Sequence, residues 1–178
     1  MRPDKFTTKF QEALADAQSL AIGSDQQFIE PQHLLLALIN QDDGGTTSLL
    51  ARAGVNVPGL KRDLEQALTR LPKVEGHGGD VSIGRDLGNL LNLTDKEAQK
   101  RGDQFIASEM FLLALGEDKG EAGRLAKQHG LSRKALEAAI MAVRGGQGVD
   151  SQEAEGQRES LKKYCIDLTE RAAQGKLD

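Results

Sequence analysis

Residues that could do chemistry are few and scattered in this sequence. The histidines His33, His77 and His129 lie far apart, and no His-x-x-x-His pair or cysteine pair stands near them. Cys165, the single cysteine, shows no sequence sign of activation, so we interpret it as an incidental thiol. A Gly-x-x-x-x-Gly-Lys-Ser/Thr phosphate loop and a Gly-x-Ser-x-Gly elbow are both absent. These patterns predict no catalytic residue, no metal site and no cofactor in this chain.

Two carboxylates beside a leucine-rich stretch suit another task, the binding of polypeptide. Asp103 and Glu109 flank the block at 104–106. Carboxylates accept hydrogen bonds from backbone N–H groups and from Lys or Arg side chains. Purely structural alternatives stay open for both residues. Asp103 follows the helix-ending Gly102, and Glu109 falls in the first turn of a predicted helix, where the helix dipole favours an acid.

Composition and charge argue against several classes of protein. The chain has 178 residues, a formal net charge of −4 and a pI near 5.5, so it has no basic excess for nucleic-acid phosphates. One cysteine excludes an internal disulfide and fits a reducing compartment. No apolar run reaches the roughly 20 residues that span a bilayer, and the first residues lack the apolar core of a signal peptide. We therefore expect a cytoplasmic protein that binds neither nucleic acid nor membrane.

A repeated block indicates that the elements behind these residues are duplicated. Residues 27–38 and 104–115 are identical at seven of twelve positions, with a constant offset of 77. Leu and Ala dominate the apolar residues and aromatic residues are only 3%, a composition that favours helices over strands. A 77-residue period is too long for the usual solenoid repeats. We predict an all-α fold made of two copies of one helical unit.

Each copy divides into four predicted helices. The pair Thr8 and Gln11 forms a capping-box pattern at the first start, and Pro31 suits the first position of the second helix. Asn56 and Ser132 are predicted caps at equivalent places in the two copies. The other expected helices are a short one at about 48–53, one ending near 71, and those at about 85–101, 108–117 and 122–128.

Shifts in composition divide the chain into a domain and a tail. Repeat one covers about 6–71 and repeat two about 84–144, joined by a glycine-rich exposed loop at 72–83, so the domain is 1–144. Residues 145–156 are rich in Gly, Gln and Glu and predict a flexible linker that buries no core. Residues 157–178 have helical apolar spacing and read as a short lead-in helix to a further module.

The two Gln-Phe-Ile blocks, each followed by Leu-Leu-Ala-Leu, resemble the repeats of the Clp N-terminal domain family. The stretches at 66–76 and 161–178 are similar to the disaggregase branch of that family. The resemblance covers the whole chain, and it implies an eight-helix pseudo-symmetric domain followed by a linker and the entry to an absent ATPase module. Its implied function is to bind exposed apolar segments of unfolded or aggregated proteins for threading by the missing ATPase ring.

The resemblance also implies partners and cofactors of the full-length parent. That parent would be an AAA+ ATPase that uses ATP and magnesium, forms a homohexamer and works with the DnaK chaperone system. The chain itself is expected to be a monomer without enzymatic activity.

The resemblance further implies a substrate groove. Thr7, Asp103 and Glu109 would form its polar rim, and Leu93 and Met110 its apolar lining. As rim residues these side chains are expected to be exposed, so that substituting Asp103 or Glu109 by Ala would weaken binding and hardly change thermal stability. The sequence departs from relatives at Glu97, which is apolar in some of them, and at Ala107, a poor helix cap where relatives often carry Ser.

Three other functions remain as alternatives. The nearest is the N-domain of a protease-linked Clp unfoldase that docks adaptor proteins. A small helical nucleic-acid binder conflicts with the acidic balance of the chain. A free-standing hydrolase conflicts with the lack of a nucleophile and base at any recognisable spacing.

Overall fold

The computed structural model describes residues 3–76 and 79–158. The helices begin and end within three residues of their predicted bounds, which confirms the all-α fold. Two short strands accompany them. His77, Cys165 and nearly all of the predicted lead-in helix at 157–178 lie outside the described residues. The elements are a 3-10 turn Pro3–Lys5, α1 Thr8–Gly23, β1 Phe28–Ile29, α2 Pro31–Ile39, α3 Gly45–Arg52, α4 Val57–Thr69, β2 Ser82–Ile83, α5 Arg85–Lys100, α6 Ser108–Leu115, α7 Glu121–Gln128 and α8 Arg133–Arg144.

Polar side chains fix the starts of several helices. Asn56 accepts from the N–H of Gly59 at 3.3 Å, and Ser132 caps α8 in the same way through Ala135. The predicted cap of α1 is wrong by one residue: Thr7, not Thr8, accepts from the N–H of the third residue on. Thr7 is the cap because it has extended backbone dihedrals, which leave its hydroxyl facing the first turn of the helix.

Each repeated Phe-Ile block pairs with the chain that leads into the first helix of the other repeat. Strand β1 pairs in parallel with β2, just ahead of α5. In the second copy, Ile106 bridges Phe6 in parallel, and its carbonyl accepts from the N–H of Thr7 at 3.0 Å. The predicted exposed loop at 72–83 therefore ends in a strand. These exchanged pairings carry the start of α1 to the 104–106 block.

One hydrophobic core runs through both repeats. Leu34, Leu35 and Leu38 of α2 and their counterparts in α6 are fully buried in a single cluster. Phe10 of α1 packs against Phe111 of α6 with ring centroids 6.1 Å apart. The two copies consequently form one unit rather than two separate domains.

Residues 145–158, which include the linker predicted at 145–156, contact the domain. Gly145 and Gly146 both have positive φ and turn the chain sharply at the end of α8. Val149 then lies buried, and its carbonyl accepts from the N–H groups of Gln104 and Phe105 at 2.9 and 3.1 Å. Residues 154–158 are helical. Val149 is the one large apolar side chain in this polar stretch, and its burial holds the stretch against the domain. The average composition of the stretch gives no indication of this contact.

Candidate substrate-binding site

A buried ion cluster joins Asp103 and Glu109, the two carboxylates that flank the second Phe-Ile block. Arg144, at the end of α8, binds Asp103 with both terminal nitrogens at 3.0 and 2.8 Å and Glu109 through Nε at 3.1 Å. The exposed fractions of the Asp103 and Glu109 side chains are 0% and 4%. The expectation of exposed rim residues is therefore wrong for this structure, because the arginine and the 145–158 segment cover both carboxylates.

Thr7 lies at the same place, beside the N-terminus of α6. Its hydroxyl donates to a carboxylate oxygen of Glu155 at 2.5 Å, and the backbone N–H of Ser108 donates to the same oxygen at 2.7 Å. Thr7 is fully buried. The structure therefore places three of the predicted residues at one location: Thr7, Asp103 and Glu109. The start of α1 lies close to the second Phe-Ile block, as the sequence analysis expected.

Arg158 completes the cluster from the far end of the folded-back segment. Its guanidinium donates to both oxygens of Glu109, at 2.9 and 3.3 Å. Removal from water on its own raises the pKa of Glu109, but Arg158 and Arg144 outweigh that effect and hold the pKa below its ordinary value. Glu109 is therefore an ionised carboxylate at neutral pH, enclosed by two guanidinium groups.

Glu155 has the opposite electrostatic environment. Burial and the nearby negative charge of Glu109 raise its pKa to about 7, despite the bonds from Thr7 and Ser108. Two carboxylates thus share one enclosed site with unequal affinities for a proton. At neutral pH, Glu155 is close to its midpoint of ionisation.

A cavity of about 280 Å³ opens next to Glu109. Leu49 of α3, Leu112 of α6 and Val143 of α8 belong to its apolar wall, and Glu155 and Arg158 border it from the folded-back segment. Apolar walls with charged groups at one side suit an apolar side chain of a polypeptide. The cavity and the ion cluster together form the candidate site.

The two predicted apolar lining residues are placed differently from the polar ones. Met110 is fully buried in the core and has no surface for a ligand in this structure. Leu93, on α5, is 38% exposed but lines neither the cavity nor the ion cluster. Glu97 is not a groove wall either, since it forms a two-pronged ion pair with Arg133 of α8 at 2.8 and 2.9 Å. That bond lowers the pKa of Glu97 and links α5 to α8.

Arg144, Glu155, Arg158 and Val149 are site residues that the sequence analysis did not find. A lone basic residue in a last helical turn has an ordinary explanation in the helix dipole, so Arg144 gave no signal. Val149 was a usable signal, because it is the single large apolar residue within the glycine-rich stretch at 145–156.

Metal-ligating arrangements do not occur at this site. Across residues 3–76 and 79–158, no three His, Cys, Asp or Glu side chains are placed to hold a metal ion. His33 is buried in the first turn of α2, where burial lowers its pKa to about 4. His129 caps α7 and bonds to Asp63 at 2.6 Å. Over the same described ranges, no helix has the length and apolar character needed to cross a membrane.

Solved structures with a similar fold include the N-terminal domains of two proteins, Hsp104 and the ClpV1 ATPase. The Hsp104 N-terminal domain from Candida albicans matches with a TM-score of 0.74, covering 85% of this chain and 99% of that one at 24% identity. The N-terminal domain of ClpV1 from Escherichia coli matches with a TM-score of 0.69, covering 80% and 88% at 23% identity. At these identities the likeness shows the fold.

Sequence comparison gives the family. Chaperone protein ClpB of Vibrio cholerae is 53% identical and that of Pseudomonas putida 48% identical, each over 100% of this chain. The chain spans 21% of the length of each of these relatives. Residues 5–129 match the Clp repeat (R) N-terminal domain. Together with the two exchanged four-helix repeats, this match shows that the chain belongs to the Clp N-terminal domain family.

Proposed function

We propose that this chain recognises exposed apolar segments of unfolded or aggregated proteins on behalf of a ClpB-like disaggregase. The observation that carries the proposal is that the candidate site already holds a polypeptide segment, residues 149–158, through backbone and side-chain bonds. A site that accommodates one stretch of chain in this way has the groups needed to bind another. The 53% identity to a protein named as a chaperone supports this choice over an adaptor-docking domain of a protease-linked unfoldase.

The remaining parts of the proposal concern the longer protein. The captured segment would pass to an ATP-driven threading ring, a homohexamer that uses ATP and magnesium and cooperates with the DnaK system in the cytoplasm. The chain described here supplies binding alone, so we expect it to be monomeric and to lack ATP hydrolysis. Weak binding is expected, since a site that accepts many sequences cannot fit any one of them closely.

The cavity wall offers a direct test. Val143 of α8 lines the cavity and is 36% exposed. Val143→Lys places a charge in the wall, and we expect it to weaken binding of carboxymethylated α-lactalbumin, a permanently unfolded protein, by about fivefold to tenfold, as for a loss of about 1 kcal/mol. Fluorescence anisotropy of the labelled protein measures the dissociation constant.

Ile22→Lys is the matched control. Ile22 lies on α1, is 39% exposed and does not line the cavity. This variant introduces the same charge, and its affinity should stay within about twofold of the original. Native α-lactalbumin should not bind to any of the three proteins. Equal effects of the two lysines, or equal binding of native and unfolded α-lactalbumin, would contradict the proposed site.

A further inference from the structure

The two repeats differ at the start of their second helix. In repeat one, Glu30 and His33 form a capping box at α2, with the imidazole Nδ1 accepting from the N–H of Glu30 at 2.9 Å. Seventy-seven residues later, the equivalent of Glu30 is Ala107, whose side chain cannot cap α6. The carboxylate of Glu155 fills that role instead by accepting from the N–H of Ser108. Repeat two thus presents a helix N-terminus that is completed by another part of the chain.

A second polar contact lies one helical turn further along the same segment. Glu155 and Arg158 are three residues apart within the helical stretch 154–158, so both side chains face the domain. The first contacts Thr7 and Ser108, while the second contacts Glu109. The site therefore binds a carboxylate and a guanidinium that are three residues apart. It also binds the Val149 carbonyl through the backbone N–H groups of Gln104 and Phe105.

This attachment contains one unfavourable electrostatic contact. Glu155 lies near Glu109, and the repulsion between these carboxylates opposes ionisation of Glu155. None of residues 151–158 is completely buried, and Glu153 and Gln157 are exposed. A tethered segment with few buried apolar contacts opens at lower cost than the core does.

We infer that residues 149–158 act as an internal ligand of the candidate site, and that an unfolded polypeptide binds there only after this segment has left. The inference rests on the proposed function, because it concerns access to the same site. The tether keeps the segment at a high effective concentration, so it competes with substrate even where its own contacts are weak.

A reversible covalent lock tests the inference in the full chain. The N–H of Thr8 donates to the carbonyl of Gln152 at 2.8 Å, so the two backbones are in direct contact here, and mass spectrometry verifies that the introduced cysteines form a disulfide. Thr8→Cys and Gln152→Cys are combined with Cys165→Ser to avoid mispairing. The oxidised protein should bind carboxymethylated α-lactalbumin at least tenfold more weakly than the same protein after reduction.

A release variant tests the opposite direction. Arg158→Ala removes the guanidinium that holds the segment to Glu109, and we expect at least threefold tighter binding of the same unfolded protein. The exposed Lys119 gives a control with an equal change of charge, and Lys119→Ala should leave the affinity unchanged. Circular dichroism melting confirms that each variant is folded before binding is measured.

The outcomes separate this inference from the proposed function. Weaker binding in the locked form, together with tighter binding by Arg158→Ala, supports the internal ligand. Equal affinity of the oxidised and reduced proteins overturns the internal ligand and leaves the proposed function standing. Absence of binding by the reduced protein, by Arg158→Ala and by the unaltered chain overturns both.

Discussion

At the scale of single residues, the ions around Arg144 contribute to stability as well as to the candidate site. Asp103→Ala removes one partner of a buried pair and leaves part of the Arg144 guanidinium without an acceptor. We expect the free energy of unfolding to fall by roughly 3–5 kcal/mol, the usual cost of breaking a buried ion pair from one side. Urea denaturation measures the loss.

Asp80→Ala provides the comparison, since this aspartate lies exposed in the loop between the repeats. Its substitution should change stability by less than about 0.5 kcal/mol. If the two alanine variants unfold at the same urea concentration, Asp103 has no structural role. Alanine substitution at Asp103 or Glu109 is accordingly a poor probe of substrate binding alone, which is why the cavity wall is the better target.

The burial of these carboxylates was beyond the reach of sequence reasoning. Residue type and spacing brought Asp103 and Glu109 to attention, and the duplication indicated that Thr7 could approach them. Their partners lie far along the chain, since Arg144 and Arg158 are 35 and 49 residues after Glu109. A local pattern carries no information on such a pair, because its two halves meet only when α8 and the segment after it have packed.

At the scale of elements, the 145–158 segment is expected to loosen as pH rises. The pKa of Glu155 is about 7 in the attached state against an ordinary value of 4.5. A raised pKa means that its contribution is fully present below about pH 4.5 and is lost as pH rises through about 7. Hydrogen exchange of the Gln104 and Phe105 amides, corrected for intrinsic rates, should therefore be slower at pH 5.5 than at pH 8.

Groups facing Glu155 keep their charges across this range. The pKa of Glu109 lies below its ordinary value and that of Lys9 above its own, while Arg158 and Arg144 remain protonated. Glu155→Gln should consequently abolish the pH dependence of the corrected exchange rates while keeping the amides protected. An unchanged pH dependence in this variant would assign the titration to another group.

The backbone turn at Gly145 and Gly146, where the same segment begins, leads to a further prediction. Gly146 has a φ of 85°, in the left-handed region that an alanine adopts only at a cost of roughly 1–2 kcal/mol. Gly146→Ala should weaken attachment of the segment and speed exchange of the Gln104 amide, with little change in the melting of the domain. Gly148→Ala is the control, as its φ is not positive. Equal exchange in both variants would show that the turn does not hold the segment.

The helices themselves were predictable, whereas the short strands were not. Apolar spacing, Pro31 and the caps at Asn56 and Ser132 are local signals, and each one marked a real helix boundary. Strands β1 and β2 have two residues each and are defined by pairing across more than fifty residues of chain. A two-residue strand has no alternation to detect, so sequence alone gave only a loop before each helix.

At the scale of the whole molecule, the interface between the repeats is part of the core. Helix α3 packs against α8 and α4 against α7, so each repeat covers a face of the other. The N–H of Asn56 donates to the carbonyl of His129 at 2.9 Å, and His129 bonds in turn to Asp63. Separating the repeats would expose apolar surface on both of them. The buried residues of the two repeats belong to one core, so neither repeat has a separate core of its own.

We therefore expect the two repeats to unfold in one cooperative transition. Leu35 and Leu112 are equivalent residues of α2 and α6, and both are fully buried. Leu35→Ala and Leu112→Ala should each lower the stability of the entire domain by about 2–5 kcal/mol, the usual cost of truncating a core leucine. Differential scanning calorimetry should show a single peak for each variant, with calorimetric and van't Hoff enthalpies in agreement. Two peaks, of which each substitution shifts only one, would mean that the repeats fold separately despite the exchanged strands and the shared core.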